Sequence, residues 1–222
     1  MNLINPNIER KAGNDLYTIG FIGLLIFVPL FVFRNLGMLD FWWWMSLNLT
    51  VVVSLSLLRD RKFRRELALD WSSRKSTKFF WGVMAAAALY LVFFVGNILV
   101  REVFHFAPQD IRSVYGFKGD ASALRIALLM LLFIGPGEEL FWRGFIQGNL
   151  SALMGKTTGF LMAVLFYTII HVATGNLILI LAALTGGVFW GWLYMRHQSM
   201  LINMVSHIVW DISVFLLFPF GG

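Results

Sequence analysis

The sequence predicts an all-α, polytopic transmembrane helical bundle of about seven spans, with its N-terminus inside. Three observations carry that expectation. Hydrophobic residues make up 59% of the 222 residues, with 22 Phe and 9 Trp, more apolar surface than a soluble domain of this length hides. The apolar runs are continuous rather than alternating, which suits helices and not the strands of a barrel. The basic residues gather in one loop, as they do on the cytoplasmic side of polytopic proteins.

The expected spans lie near 17–34, 41–58, 79–100, 122–147, 158–173, 177–195 and 200–218. Each approaches the roughly 20 residues needed to cross about 30 Å of hydrocarbon. The first follows the polar start MNLINPNIERKAGND, and no small-residue cleavage site follows a short apolar region, so no signal peptide is expected. The second opens on Trp42, Trp43 and Trp44, which read as an interfacial aromatic belt. Between the second and third lies RDRKFRRELALDWSSRKSTK, residues 59–78, with eight basic and three acidic residues. It is the expected cytoplasmic loop, with an amphipathic helix on anionic lipid as the alternative. Arg10, Lys11, Lys156 and Arg196 then fall on the same side, and the balanced loop 101–121 falls outside. The net charge of +6 is therefore read as a topology signal and not as a nucleic-acid surface. The spans divide into N-terminal helices, 1–121, and a C-terminal core, 122–222. No cysteine is present, which excludes disulfides, thiolate metal sites and a cysteine nucleophile. His105, His197 and Asn97 are expected at helix ends or in loops.

Ionised side chains at the bilayer centre cost roughly 2.5–3.5 kcal/mol each, yet three late spans carry them. The fourth holds Glu138, Glu139 and Arg143 in IGPGEELFWRGF, the fifth His171, the seventh His207 and Asp211. Glu139 and Arg143 are four apart and share a helix face, whereas Glu138 is turned about 100° away. Tyr167 and His171 are also four apart, as are Asn203, His207 and Asp211. Pro136 between two glycines predicts a kink that admits substrate or water. With a 1.5 Å rise per residue, Glu138 lies roughly 14 Å, His171 about 20 Å and His207 about 10 Å from the inner ends of their spans. That band runs from mid-membrane towards the cytoplasm, where all three can meet.

A buried glutamate beside a histidine suits water activation, and a second histidine can donate to the oxyanion of a tetrahedral intermediate. No HExxH or GxSG motif supports another hydrolase chemistry, and GPGE lacks an upstream intramembrane Asp partner.

The motifs E138-E139-L-F-W-R143, Y167-T-I-I-H171 and H207-I-V-W-D211 resemble those of the CPBP (Abi) intramembrane proteases, related to the type II CAAX prenyl endopeptidases. The resemblance covers residues 122–218 and implies an all-α core of eight helices or similar, with a cavity open to the cytosol. It implies Glu138 as general base, His171 as its partner on the water, and His207 with Asp211 at the oxyanion. Glu139, Arg143, Tyr167 and Asn203 become supporting residues. Tyr167 stands where Phe is usual, and Asp211 where the CAAX-processing branch has Asn, so that branch's substrate preference does not transfer.

The expected function is an intramembrane endopeptidase acting on a membrane-embedded or lipidated peptide. The alternative is a non-proteolytic immunity, binding or scaffold protein of the same family, or a proton-coupled carrier. No cofactor is expected; a zinc site formed by Glu138, His171, His207 and Asp211 is the alternative. The expected location is a prokaryotic plasma membrane, with the active site facing the cytoplasm.

Overall fold

A computed structural model describes residues 6–220, with side chains from residue 13 onward. The side chains of Arg10 and Lys11 lie outside the described residues. Among the described residues there are nine helices and no strand. They are α1 (Pro6–Phe33), α2 (Phe41–Arg59), α3 (Arg61–Ser72), α4 (Lys75–Val103), α5 (Ala107–Tyr115), α6 (123–154), α7 (Lys156–Val172), α8 (Leu177–His197) and α9 (Met200–Leu217). Their starts follow from capping chemistry. Asp40, Asp60, Ser122, Asn176 and Ser199 each accept a hydrogen bond from the backbone N–H three residues on, satisfying a donor that the first turn leaves open.

The chain is an all-α membrane bundle. Five helices, α1 from Gly13, α2, α4, α8 and α9, are long and apolar enough to cross a membrane. The two other expected spans are α7, shorter at 17 residues, and α6, which is not a regular α-helix. In α6, π-helical turns at Met130–Ile134 and Glu139–Gln147 flank a short α segment, Gly135–Glu138. Pro136 has no N–H to give, and its ring crowds the carbonyl four residues back; the wider π register next to it accommodates that defect. The expected loosening at Gly135-Pro136-Gly137 is thus replaced by tight packing. A Cβ on Gly135 would stand 2.6 Å from Ile208 of α9, and one on Gly137 2.9 Å from Leu49 of α2. These glycines are places where neighbouring helices press against α6.

Trp42 and Trp44 are buried and only Trp43 is exposed, so the three are not an aromatic belt. Trp42 Nε1 donates to the Phe117 carbonyl at 2.9 Å, which explains how its polar edge is satisfied inside the bundle. The basic stretch 59–78 holds the helix α3, whose Phe63 is buried against Phe145 of α6. Its Asp70 pairs with Lys78 at 2.8 Å and accepts from the backbone N–H of Leu201 at 2.8 Å. Segment 101–121 is likewise not a plain loop. Its α5 buries Ala107 and Ile111 and caps the other end of the bundle. There Asn176 Nδ2 donates to Asp110 O at 2.9 Å, and the Tyr115 hydroxyl donates to Val214 O at 2.9 Å while accepting from Phe220 N at 2.8 Å. Burial raises the Tyr115 hydroxyl above its ordinary pKa, so it stays a donor at neutral pH. Helices from both halves of the chain share one core, with Phe27, Leu30, Leu49, Phe141, Phe145 and Met200 all but fully buried.

Candidate active site

The two adjacent glutamates leave α6 in different directions and meet different partners. Glu139 is fully buried at 0% exposure. Its carboxylate accepts from Arg143 at 3.0 Å, Asn203 Nδ2 at 2.9 Å and His207 Nδ1 at 2.6 Å. Charge-assisted bonds of this kind are the strong ones, and three of them hold the carboxylate in place. Arg143 lies over the rings of Tyr167, at 4.7 Å, and Trp190, at 5.6 Å. Asn203 also donates to Trp190 O at 2.8 Å, and the Trp190 ring stacks on His207 with centroids 3.8 Å apart. The expected Glu139–Arg143 pair is present, but Glu139 also orients His207, a link that helix spacing within one span cannot show.

Among the described residues Glu138 has a single hydrogen-bond partner, the Tyr167 hydroxyl, which donates to its carboxylate at 2.8 Å. The hydroxyl that distinguishes Tyr167 from Phe thus finds an acceptor. One turn along α7, His171 gives its Nδ1–H to the Tyr167 carbonyl at 2.7 Å, which leaves Nε2 as the acceptor nitrogen. Glu138, Tyr167, His171, His207 and Asp211 all line one cavity of about 320 Å³, otherwise walled by apolar and aromatic side chains.

His207 reaches this cavity by its far edge, with Nε2 3.6 Å from Asp211 Oδ2. That is ion-pair range and longer than a hydrogen bond. Asp211 therefore borders His207 without fixing it; Glu139 does the fixing. The candidate catalytic residues Glu138, His171, His207 and Asp211 come together at one cavity, while Glu139, Arg143 and Asn203 form the closed layer beside it. His105 and His197 are exposed, as expected of loop residues. Asn97 lines the cavity and accepts from Arg101 at 3.0 Å, so it is more than a helix-end group. Trp190 is the functional neighbour that the sequence hid, since a Trp inside an apolar span carries no pattern that marks it.

Among the described residues no three His, Asp or Glu side chains gather in a group able to hold a metal ion, while His207 gives Nδ1 to Glu139 and keeps Nε2 towards the cavity.

The cavity opens towards one end of the bundle. Its walls are the ends of α1 and α4, the starts of α2 and α8, and α5 itself, through residues such as Phe31, Phe41, Val100, Tyr115 and Ile178. It lies in the half of the bundle away from α3. α6 continues to residue 154 and does not end near 147, so Glu138 stands near its middle, sixteen residues from the α3 end and fifteen from Ala123.

No curated protein and no solved structure gives a significant match to the chain. A family model does match, over residues 120–213: type II CAAX prenyl endopeptidase, Rce1-like. The matched segment contains every candidate site residue. Residues 120–213 are thus similar to the Rce1-like type II CAAX prenyl endopeptidases, and the rest of the chain lies outside the match.

Proposed function

We propose that the chain is an intramembrane endopeptidase whose nucleophile is a water activated by Glu138 and His171, acting on a membrane-embedded or lipidated peptide. The observation that carries the reading is the division between the two glutamates: Glu139 is held by three donors in a closed layer, whereas Glu138 faces the cavity with one. Of the two, Glu138 is the one whose carboxylate faces the cavity with most of its acceptor positions unused.

In this mechanism one hydrogen of the water faces the Glu138 carboxylate and the other faces His171 Nε2. As the water oxygen bonds to the peptide carbonyl carbon, Glu138 takes a proton and the carbonyl oxygen becomes an oxyanion. His207 already gives Nδ1–H to Glu139; when doubly protonated it has a second N–H, on Nε2, for that oxyanion. An ionised Asp211 cannot donate there and instead faces His207. Collapse of the intermediate breaks the C–N bond, and the proton held by Glu138 passes to the leaving nitrogen, giving a carboxylic acid and an amine.

The test is purification in nanodiscs, assay of bound metal, and cleavage of a membrane-peptide library before and after chelation. Cleavage that survives chelation in metal-free protein supports the reading. Stoichiometric zinc with chelator-sensitive cleavage would overturn the metal-free chemistry. Failure to cleave any peptide would favour the immunity, binding or scaffold alternative.

A further inference from the structure

We infer that the cavity is served from the extracytoplasmic face, so that its substrate is a peptide whose scissile bond lies in the outer half of the bilayer or at its outer surface. Two independent features of the molecule combine to give this.

The first is where the cavity is closed. Between the site and α3 the bundle is solid. Glu139, Arg143 and Asn203 form a buried layer; below it Phe145 and Gln147 are each 1% exposed, and Phe63 of α3 seals the end at 2%. A Cβ on Gly144 would already collide with Phe63 and Met200, so this plug has no slack. Towards α5 the walls are half-buried instead: Val100, Tyr115, Phe117, Ile178 and Phe220 line the cavity and are all partly accessible. The cavity also borders a second space between α4 and α8, sharing Val92 and Thr185 with it. α4 packs along α9 and only lightly against α8, which leaves a side route from the bilayer.

The second is charge. Residues 59–78 carry eight Lys and Arg, and Lys156 and Arg196 lie at the same end of the bundle, ten in all. The α5 end has five: Arg34, Arg101, Arg112, Lys118 and Arg125. Counted over short loops, Lys and Arg mark the cytoplasmic side. The plug is therefore cytoplasmic and the accessible end faces out. For the endopeptidase proposed above, on which the substrate class rests, this disfavours a prenylated C-terminus presented from the cytosol.

The chain has no cysteine, so single-cysteine variants read the orientation without regard to catalysis. Gln109→Cys on α5 and Ala68→Cys on α3 replace exposed, uncharged residues, and Thr185→Cys reports from the cavity wall. The probes are a membrane-impermeant maleimide for the two ends and a small charged methanethiosulfonate for Thr185→Cys, applied to intact bacterial cells expressing each variant. The expected result is modification of Gln109→Cys and Thr185→Cys in intact cells, and of Ala68→Cys only after permeabilisation. Modification of Ala68→Cys in intact cells would overturn the orientation. Protection of Thr185→Cys while Gln109→Cys reacts would overturn access from that face. A protein that labels as expected but cleaves nothing would fail the endopeptidase reading and leave the orientation standing.

Discussion

Glu138 and Glu139 are neighbours in sequence and opposites in surroundings. Glu139 sits in a closed layer where Arg143, Asn203 and His207 satisfy it and aromatic rings cover those partners. Glu138 faces a cavity and keeps one protein bond. A buried charge is tolerated only when paired and hydrogen-bonded, and Glu139 meets that condition in full. What the contrast teaches is that one pair of adjacent carboxylates supplies both the reacting group and the anchor for the histidine across the cavity. The π register of Glu139–Gln147 is where α6 makes this division.

The comparison can be broken at either carboxylate. The largest loss of stability is expected from Glu139→Ala, which strands the Arg143 guanidinium in the core. Removing one partner of a buried pair costs about 3–5 kcal/mol, so thermal unfolding in nanodiscs falls sharply, or the variant fails to accumulate. A Glu139→Ala protein as stable as the parent would show that the layer is not an anchor. Next comes Gly137→Ala, where the added methyl meets Leu49. Overpacking costs roughly 1–3 kcal/mol, visible as a lower unfolding temperature. An unchanged unfolding temperature would mean that α2 is free to give way. The smallest effect is expected from Tyr167→Phe, which keeps the ring beside Trp142, at 5.3 Å, and removes the hydroxyl bond to Glu138. A net hydrogen bond contributes about 0.5–1.5 kcal/mol, so cleavage changes by about ten-fold at most. Loss of cleavage as complete as that of a Glu138 variant would mean that Tyr167 takes part in the chemistry.

Much of this bundle is legible from residues alone, for reasons that also explain the gaps. Apolar runs locate the long helices because the bilayer demands them. Intramembrane charges single out Glu138, His171, His207 and Asp211 as candidates because charge there has a cost, and the fold brings the four to one cavity. What is hidden is whatever depends on neighbours. Residues 148–154 include Asn149 and Ser151, so the apolar run ends near 147; yet the helix continues, since Asn149 donates to Asp60 and Phe145 O and Gly159 of α7 comes hard against Ser151. That extension puts Glu138 near the middle of its helix. The triple Trp is misleading for a similar reason, because only the Phe117 carbonyl across 75 residues shows why Trp42 belongs inside. The link from Glu139 to His207 spans 68 residues and has no local signature at all.

The central claim is that Glu138 reacts while Glu139 builds, and Glu138→Gln tests it most directly. Gln keeps the shape and can still bond Tyr167, but cannot accept a proton from water. Cleavage of a membrane peptide by purified Glu138→Gln should fall by about 10²–10⁴-fold, the usual contribution of a general base, with the unfolding temperature unchanged. Cleavage at the parent rate would contradict the account.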